Sequence, residues 1–265
     1  MTDARRKHGD AIRQDRRAQP AADDTAGLRG HRRDMNKLHV RILSSGLLLS
    51  PVLITAEEVA RLTVDNAYLE NETDPVADAT AHLAAVADRL AWWHAAAYLN
   101  LAFAATWALA LLAITILVAR TRPVSAAVTG LLGLISVLGV ALHWAFYYLP
   151  LASLAREPDR TFAARALDAV GDDMMLIVAL VMFLLGTLTA ALSAGVGLWR
   201  AHALSWWGAA GFVMWLGYVV VGPETRAAAM LNLALLLPFV AVARRLTPEP
   251  DSARREEFAH VAVTP

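Results

Sequence analysis

The stretch 174-MMLIVALVMFLLGTLTAALSAGVGLW-199 contains neither a charged residue nor a proline. At roughly 1.5 Å of rise per residue, a helix of this length exceeds the hydrocarbon core of a bilayer, about 30 Å thick. A second run, 101-LAFAATWALALLAITILVA-119, repeats the pattern. Only 18% of the 265 residues are charged and 57% are hydrophobic, whereas a soluble domain carries about a quarter of its residues as charges. These runs point to an all-α, polytopic transmembrane bundle whose principal partner is the lipid bilayer.

Outward from the two runs, apolar segments predict six spans over about 38–60, 95–119, 123–150, 173–199, 203–221 and 224–244. The first is short, and Pro51 inside it should kink the helix, with Ser50 and Thr55 available to satisfy freed backbone groups. Its basic flank and Ile54-Thr55-Ala56 also resemble a signal peptide cleaved after Ala56. The third span is expected to enter at Pro123 and leave at Pro150, followed by a charged loop over 151–172. Between the first two spans, 57–94 forms an acidic external segment in which Asp74-Pro75 reads as an N-cap and first helical position. Helical spacing in 76-VADATAHLAAVADRLAWW-93 carries that helix directly into the second span.

Residues 1–36 are rich in arginine and poor in large apolar side chains, the composition of a disordered basic tail. Met35 begins MNKLHVRILSSGLLL, an ordinary start for a membrane protein, which makes an over-extended reading frame the alternative for the first 34 residues. Residues 246–265, with Pro248 and Pro250, form a second disordered tail. The net charge of zero hides a sorting of charge. Lys and Arg through Arg41, together with Arg120, Arg122, Arg200, Arg244, Arg245, Arg254 and Arg255, fall on one side of a six-span bundle. Far fewer fall on the other: Arg61, Arg89, Arg156, Arg160, Arg165 and Arg226. Since basic residues near spans stay in the cytoplasm, both termini are expected inside, in a bacterial inner (plasma) membrane. Trp92, Trp93, Trp144, Tyr147, Tyr148 and Tyr218 are expected in an outer aromatic belt, and Trp199, Trp206 and Trp207 in an inner one.

Small residues recur four apart in the fourth span (Gly186, Ala190, Ala194; Thr187, Ala191, Gly195) and in the third (Ala126, Gly130; Thr129, Gly133). Such spacing brings backbones together in lipid, within one bundle or through self-association. Asn100, Asn232, Thr115 and Ser136 read as polar glue between helices.

Ionisable groups at membrane depth are costly, which makes each one a candidate site. Glu57, Glu58, His94, His143, Asp172 and Asp173 all fall on the outer side and would form a polar cavity if their helices are neighbours. That set would suit a proton or cation path, or a metal such as zinc; the simpler alternative leaves most of them in headgroups and water. His143 lies deepest. Haem ligation by His94 with His143, or by His39 with His202, is a further alternative, although the first pair differs in depth by roughly 7 Å. No P-loop, dinucleotide-binding glycine pattern, HExxH or GxSxG occurs, and no cysteine. No catalytic residue, cofactor or nucleic-acid partner is therefore expected. Asn71-Glu72-Thr73 matches a glycosylation acceptor, and no internal repeat is evident.

The Ala/Leu/Val/Arg-rich composition and the 37–245 layout resemble uncharacterised six-span membrane proteins of high-GC bacteria, a class that implies no activity. The role expected from sequence is a non-enzymatic partner or sensor, with a small-molecule or proton-coupled transporter and a haem or metal protein as alternatives.

Overall fold

A computed structural model describes residues 37–67, 74–171, 174–221 and 225–246, and no strand occurs among them. The helices are α1 (Lys37–Asp65), α2 (Pro75–Asp88), α3 (Leu90–Ala119), α4 (Pro123–Leu154), α5 (Arg160–Gly171), α6 (Met174–Arg200), α7 (Trp206–Val221) and α8 (Arg226–Leu246). Five of them, α1, α3, α4, α6 and α8, are long and apolar enough to cross a membrane; α7 is shorter and equally apolar. The compact body begins at Leu43, while residues 37–42 are the helical end of a separate N-terminal unit.

The outward faces carry Leu131, Leu134, Ile177, Val181, Leu185 and Val213, all exposed. The inward faces of α4 and α6 carry mostly small residues, among them Ala126, Gly133, Gly139, Gly186, Ala190 and Ala194. This is the arrangement expected when the solvent is lipid, since hydrocarbon tails make large apolar side chains indifferent to burial and close backbone approach decides packing. The most extensive contact is between α4 and α6. There a Cβ on Gly139 would overlap the Met182 backbone, and one on Gly186 would lie 3.2 Å from the Ser136 backbone. The two small-residue faces thus pack on each other within a single chain, with Thr129 and Ser193 hydroxyls 2.9 Å apart across the seam.

Three boundaries differ from the sequence expectation. Helix α1 runs through Pro51 and on to Asp65, so Glu57 and Glu58 belong to the bundle and not to the external segment. Thr55 donates its hydroxyl to the Pro51 carbonyl at 2.6 Å, as its spacing allows. The third span continues past Pro150 to Leu154, because residues Trp144–Tyr148 form a wider π-helical turn ahead of the proline. A π turn moves the carbonyls that an α-helix would press against the proline ring. The 151–172 loop contains α5, an amphipathic helix capped by Asp159, whose carboxylate accepts from the Phe162 amide at 2.9 Å.

Helix α2 starts as expected, with Asp74 accepting from the Val76 and Ala77 amides. It breaks at Arg89 instead of running straight into α3. Together α2 and α5 close one end of the bundle, called here the cap end, over a core that includes Val64, Leu83, Val86 and Trp93. Trp93 and Tyr148, expected in an aromatic belt, are fully buried in that core, and the Trp93 indole donates to the Tyr148 carbonyl at 3.1 Å. Trp92, Trp199, Trp206 and Trp207 are exposed, as belt residues are. At the opposite end Arg122 and Arg200 line one shallow depression. The α6–α7 turn there holds His202 at a φ of 52°.

Candidate functional site

Just inside the cap end, α1, α3, α4, α6, α7 and α8 enclose a cavity of about 350 Å³. Its polar lining comes from Glu57, Glu58 and Arg61 on α1, His143 and Tyr147 on α4, Thr187 on α6, Tyr218 on α7 and Asn232 on α8. Phe103, Phe183, Leu180, Leu184, Trp215 and Val219 supply the apolar wall.

The placement of the ionisable residues near the end of α1 follows from helical spacing. Glu57, Arg61 and Asp65 recur every four residues and therefore share a face, while Glu58 sits one position round toward α7 and α8. Glu57 is 3% exposed and accepts a hydrogen bond from the Tyr148 hydroxyl. Glu58 accepts from the Tyr218 hydroxyl and, at 2.7 Å, from the Asn232 side-chain amide. Arg61 is paired with Asp65, and the His82 imidazole of α2 lies 3.5 Å from the same carboxylate. Bilayer burial of such groups is expensive unless each finds a partner. Here hydroxyls, an amide and one ion pair provide them.

Two irregular helical segments deliver the partners. The π turn before Pro150 presents Tyr147 and Tyr148 on successive positions, and a 3₁₀ stretch, Met230–Leu235, lies before Pro238 and presents Asn232. Non-α turns within long helices concentrate at functional positions because they re-aim side chains that a regular helix would direct elsewhere. Asn232 is held in turn by the Trp215 indole, which donates to its carbonyl oxygen at 2.9 Å. Trp215 thereby serves both packing and the cavity wall.

His143 is buried, with its ring stacked on Phe183 at 4.5 Å and on Tyr147 at 4.8 Å. Its Nδ1 has no hydrogen-bond partner among the described residues. Tyr148 meets it edge-on at 5.4 Å and joins it to Glu57. Tyr147 also lines a second, outer cavity of about 420 Å³ together with Asp78, His82 and Asp168, so its ring stands between the two spaces. From the other direction, the Trp107 indole donates to Ser136 at 2.9 Å, and Ser136 meets Thr187 at 2.9 Å on the cavity wall.

Of the six residues singled out by sequence, Glu57, Glu58 and His143 line this one cavity. His94 is elsewhere, 2.8 Å from the Arg156 guanidinium at the surface. Asp172 and Asp173 lie outside the described residues, as does Asn71-Glu72-Thr73. Arg61, Tyr147, Tyr148, Tyr218 and Asn232 were not singled out as site residues, although the prolines that follow two of these segments were a usable signal. No group of three His, Asp or Glu side chains able to hold a metal converges among the described residues. Comparisons with protein-family models, curated proteins and solved structures return no match.

Proposed function

We propose that this chain is a six-span protein of the plasma membrane, with both termini in the cytoplasm, that binds a small solute in the cavity beside Glu57 and Glu58 and carries it across the bilayer. The sixth span is α7. Trp206 begins it next to the α6–α7 turn, and Tyr218 reaches Glu58 near the cap end. Asn232 meets Glu58 at that same level, after which α8 leads away to Arg244 and Arg245. The arginines of the α3–α4 turn, of the α6 terminus and of the α8 terminus then share one side, which the positive-inside tendency places in the cytoplasm.

One observation carries the transport reading: open space adjoins two carboxylates within helices otherwise packed to backbone contact. Groups retained only as structural glue gain most from being closed over, because every unfilled contact forfeits dispersion energy. A void beside charge is what a solute site requires. Leu184 and Tyr147 line this space, and Tyr147 also lines the outer cavity that opens toward the cap end. A sensor would use the same cavity from one side alone.

The chain has no cysteine, so single cysteines can be placed without background. Val219→Cys on the cavity wall should react with a membrane-impermeant thiol reagent applied to either side, in right-side-out and in inverted vesicles. Exposed Leu185→Cys on the outward face should stay inert, because a thiol in hydrocarbon does not ionise. Reaction of Val219→Cys from the cap side alone would exclude transport and leave a receptor. No reaction from either side would remove the cavity as a solute site.

A further inference from the structure

Resting on that reading of the cavity, we infer that its solute is a small organic cation: an ammonium group bearing an apolar or aromatic body.

Charge is the first ground. Arg61 also lines the space; it is paired with Asp65 and lies close enough to act electrostatically on Glu57 and Glu58, so one guanidinium stands among three carboxylates. Glu57 and Glu58, by contrast, are held by neutral donors, the Tyr148 and Tyr218 hydroxyls and the Asn232 amide. Neutral donors satisfy the lone pairs of a carboxylate without cancelling its charge, so three carboxylates set against one guanidinium leave an excess of negative charge. An anion entering this space would meet that excess in a medium of low dielectric, and a cation would meet the same field with the opposite sign.

The wall is the second ground. Phe103, Tyr147, Phe183, Trp215 and Tyr218 present aromatic rings around the space, and ring faces attract cations, most strongly where water is excluded. An anion gains nothing from them. Space is the third. About 350 Å³ equals the liquid share of roughly a dozen waters at about 30 Å³ each. This is far more than a bare ion fills. Hard metal cations call for six or more oxygen ligands, or a tight cluster of three or four side chains, and no such cluster converges among the described residues. Carboxylates grouped on one side of an aromatic pocket match an ammonium head and a hydrophobic body.

The test uses the full-length Val219→Cys protein and three probes of similar size, benzylammonium, benzyl alcohol and benzoate, each measured for protection of the introduced thiol against alkylation. The cation should protect saturably, and the neutral and anionic probes should not. Adding Glu58→Gln should weaken protection about tenfold, the equivalent of about 1.4 kcal/mol, and Glu58→Asp should largely restore it. Equal protection by benzyl alcohol or benzoate, or protection by none of the three while the introduced thiol remains reactive, overturns the cation assignment and leaves the cavity reading standing. A thiol that stays unreactive in the Val219→Cys protein without any probe instead removes the cavity reading itself. The charge series needs no substitution at Glu58, so it decides the matter even if Glu58→Gln fails to fold.

Discussion

Two regions of this bundle bury polar side chains, and they bury them in opposite ways. Along the α4–α6 seam, Ser136, Thr187, Thr129 and Ser193 are neutral hydroxyls that satisfy one another, and Trp107, across helices brought together by Gly139 and Gly186. At the α1–α7–α8 junction the buried groups are charged, two of their partners, Tyr148 and Asn232, come from irregular turns, and the charged groups border a void. The seam acts as an adhesive. The junction keeps an arrangement that packing alone would eliminate, which marks it as the part retained for a task.

Substitutions should separate the two. The largest effect is expected from Gly139→Ala, which forces a methyl onto the Met182 backbone. Overpacking against a main chain that cannot rotate away costs about 1–3 kcal/mol. A thermal-unfolding midpoint in detergent unchanged from wild type would show that the seam is looser than described. Next is Tyr147→Ala, which removes the partition between the two cavities. Alkylation of Val219→Cys from the cap side should speed up roughly tenfold, the equivalent of about 1.4 kcal/mol off the barrier. An unaltered rate would place the entry route elsewhere. The smallest effect belongs to Ser136→Ala, which takes one partner each from Trp107 and Thr187. Interhelical hydrogen bonds in membranes average about 0.6 kcal/mol, so the midpoint should fall slightly and cation protection should persist. Loss of protection with full stability would move Ser136 from the seam to the site.

The membrane-spanning helices were evident from the chain because length and the absence of charge suffice for them: nothing in 174–199 permits another solvent. Asp74-Pro75 was equally local, a side chain capping its own helix. Three residues of the candidate site were visible for a similar reason. Glu57, Glu58 and His143 stand out wherever their helices lie, since an ionisable group in an apolar run is conspicuous by itself. His94 stands out on the same criterion and belongs with Arg156, because the criterion registers depth and carries no information about neighbours.

Tyr148, Tyr218 and Asn232 could not be recognised this way, being ordinary residues at a span end or inside one. What joins them is contact between helices as far apart in the chain as α1 and α8, together with the π and 3₁₀ turns that carry Tyr148 and Asn232. By itself, then, the sequence determined that the chain is built of apolar helices, where several of them begin, and which charges would have to be accommodated among them. Only the tertiary structure decided that two glutamates face a shared aromatic space while the hydroxyls of α4 and α6 close on each other. Hydrophobicity and capping are properties of one segment. Backbone approach and the partner of a buried charge belong to pairs of helices, and α-helical periodicity leaves those pairs unspecified.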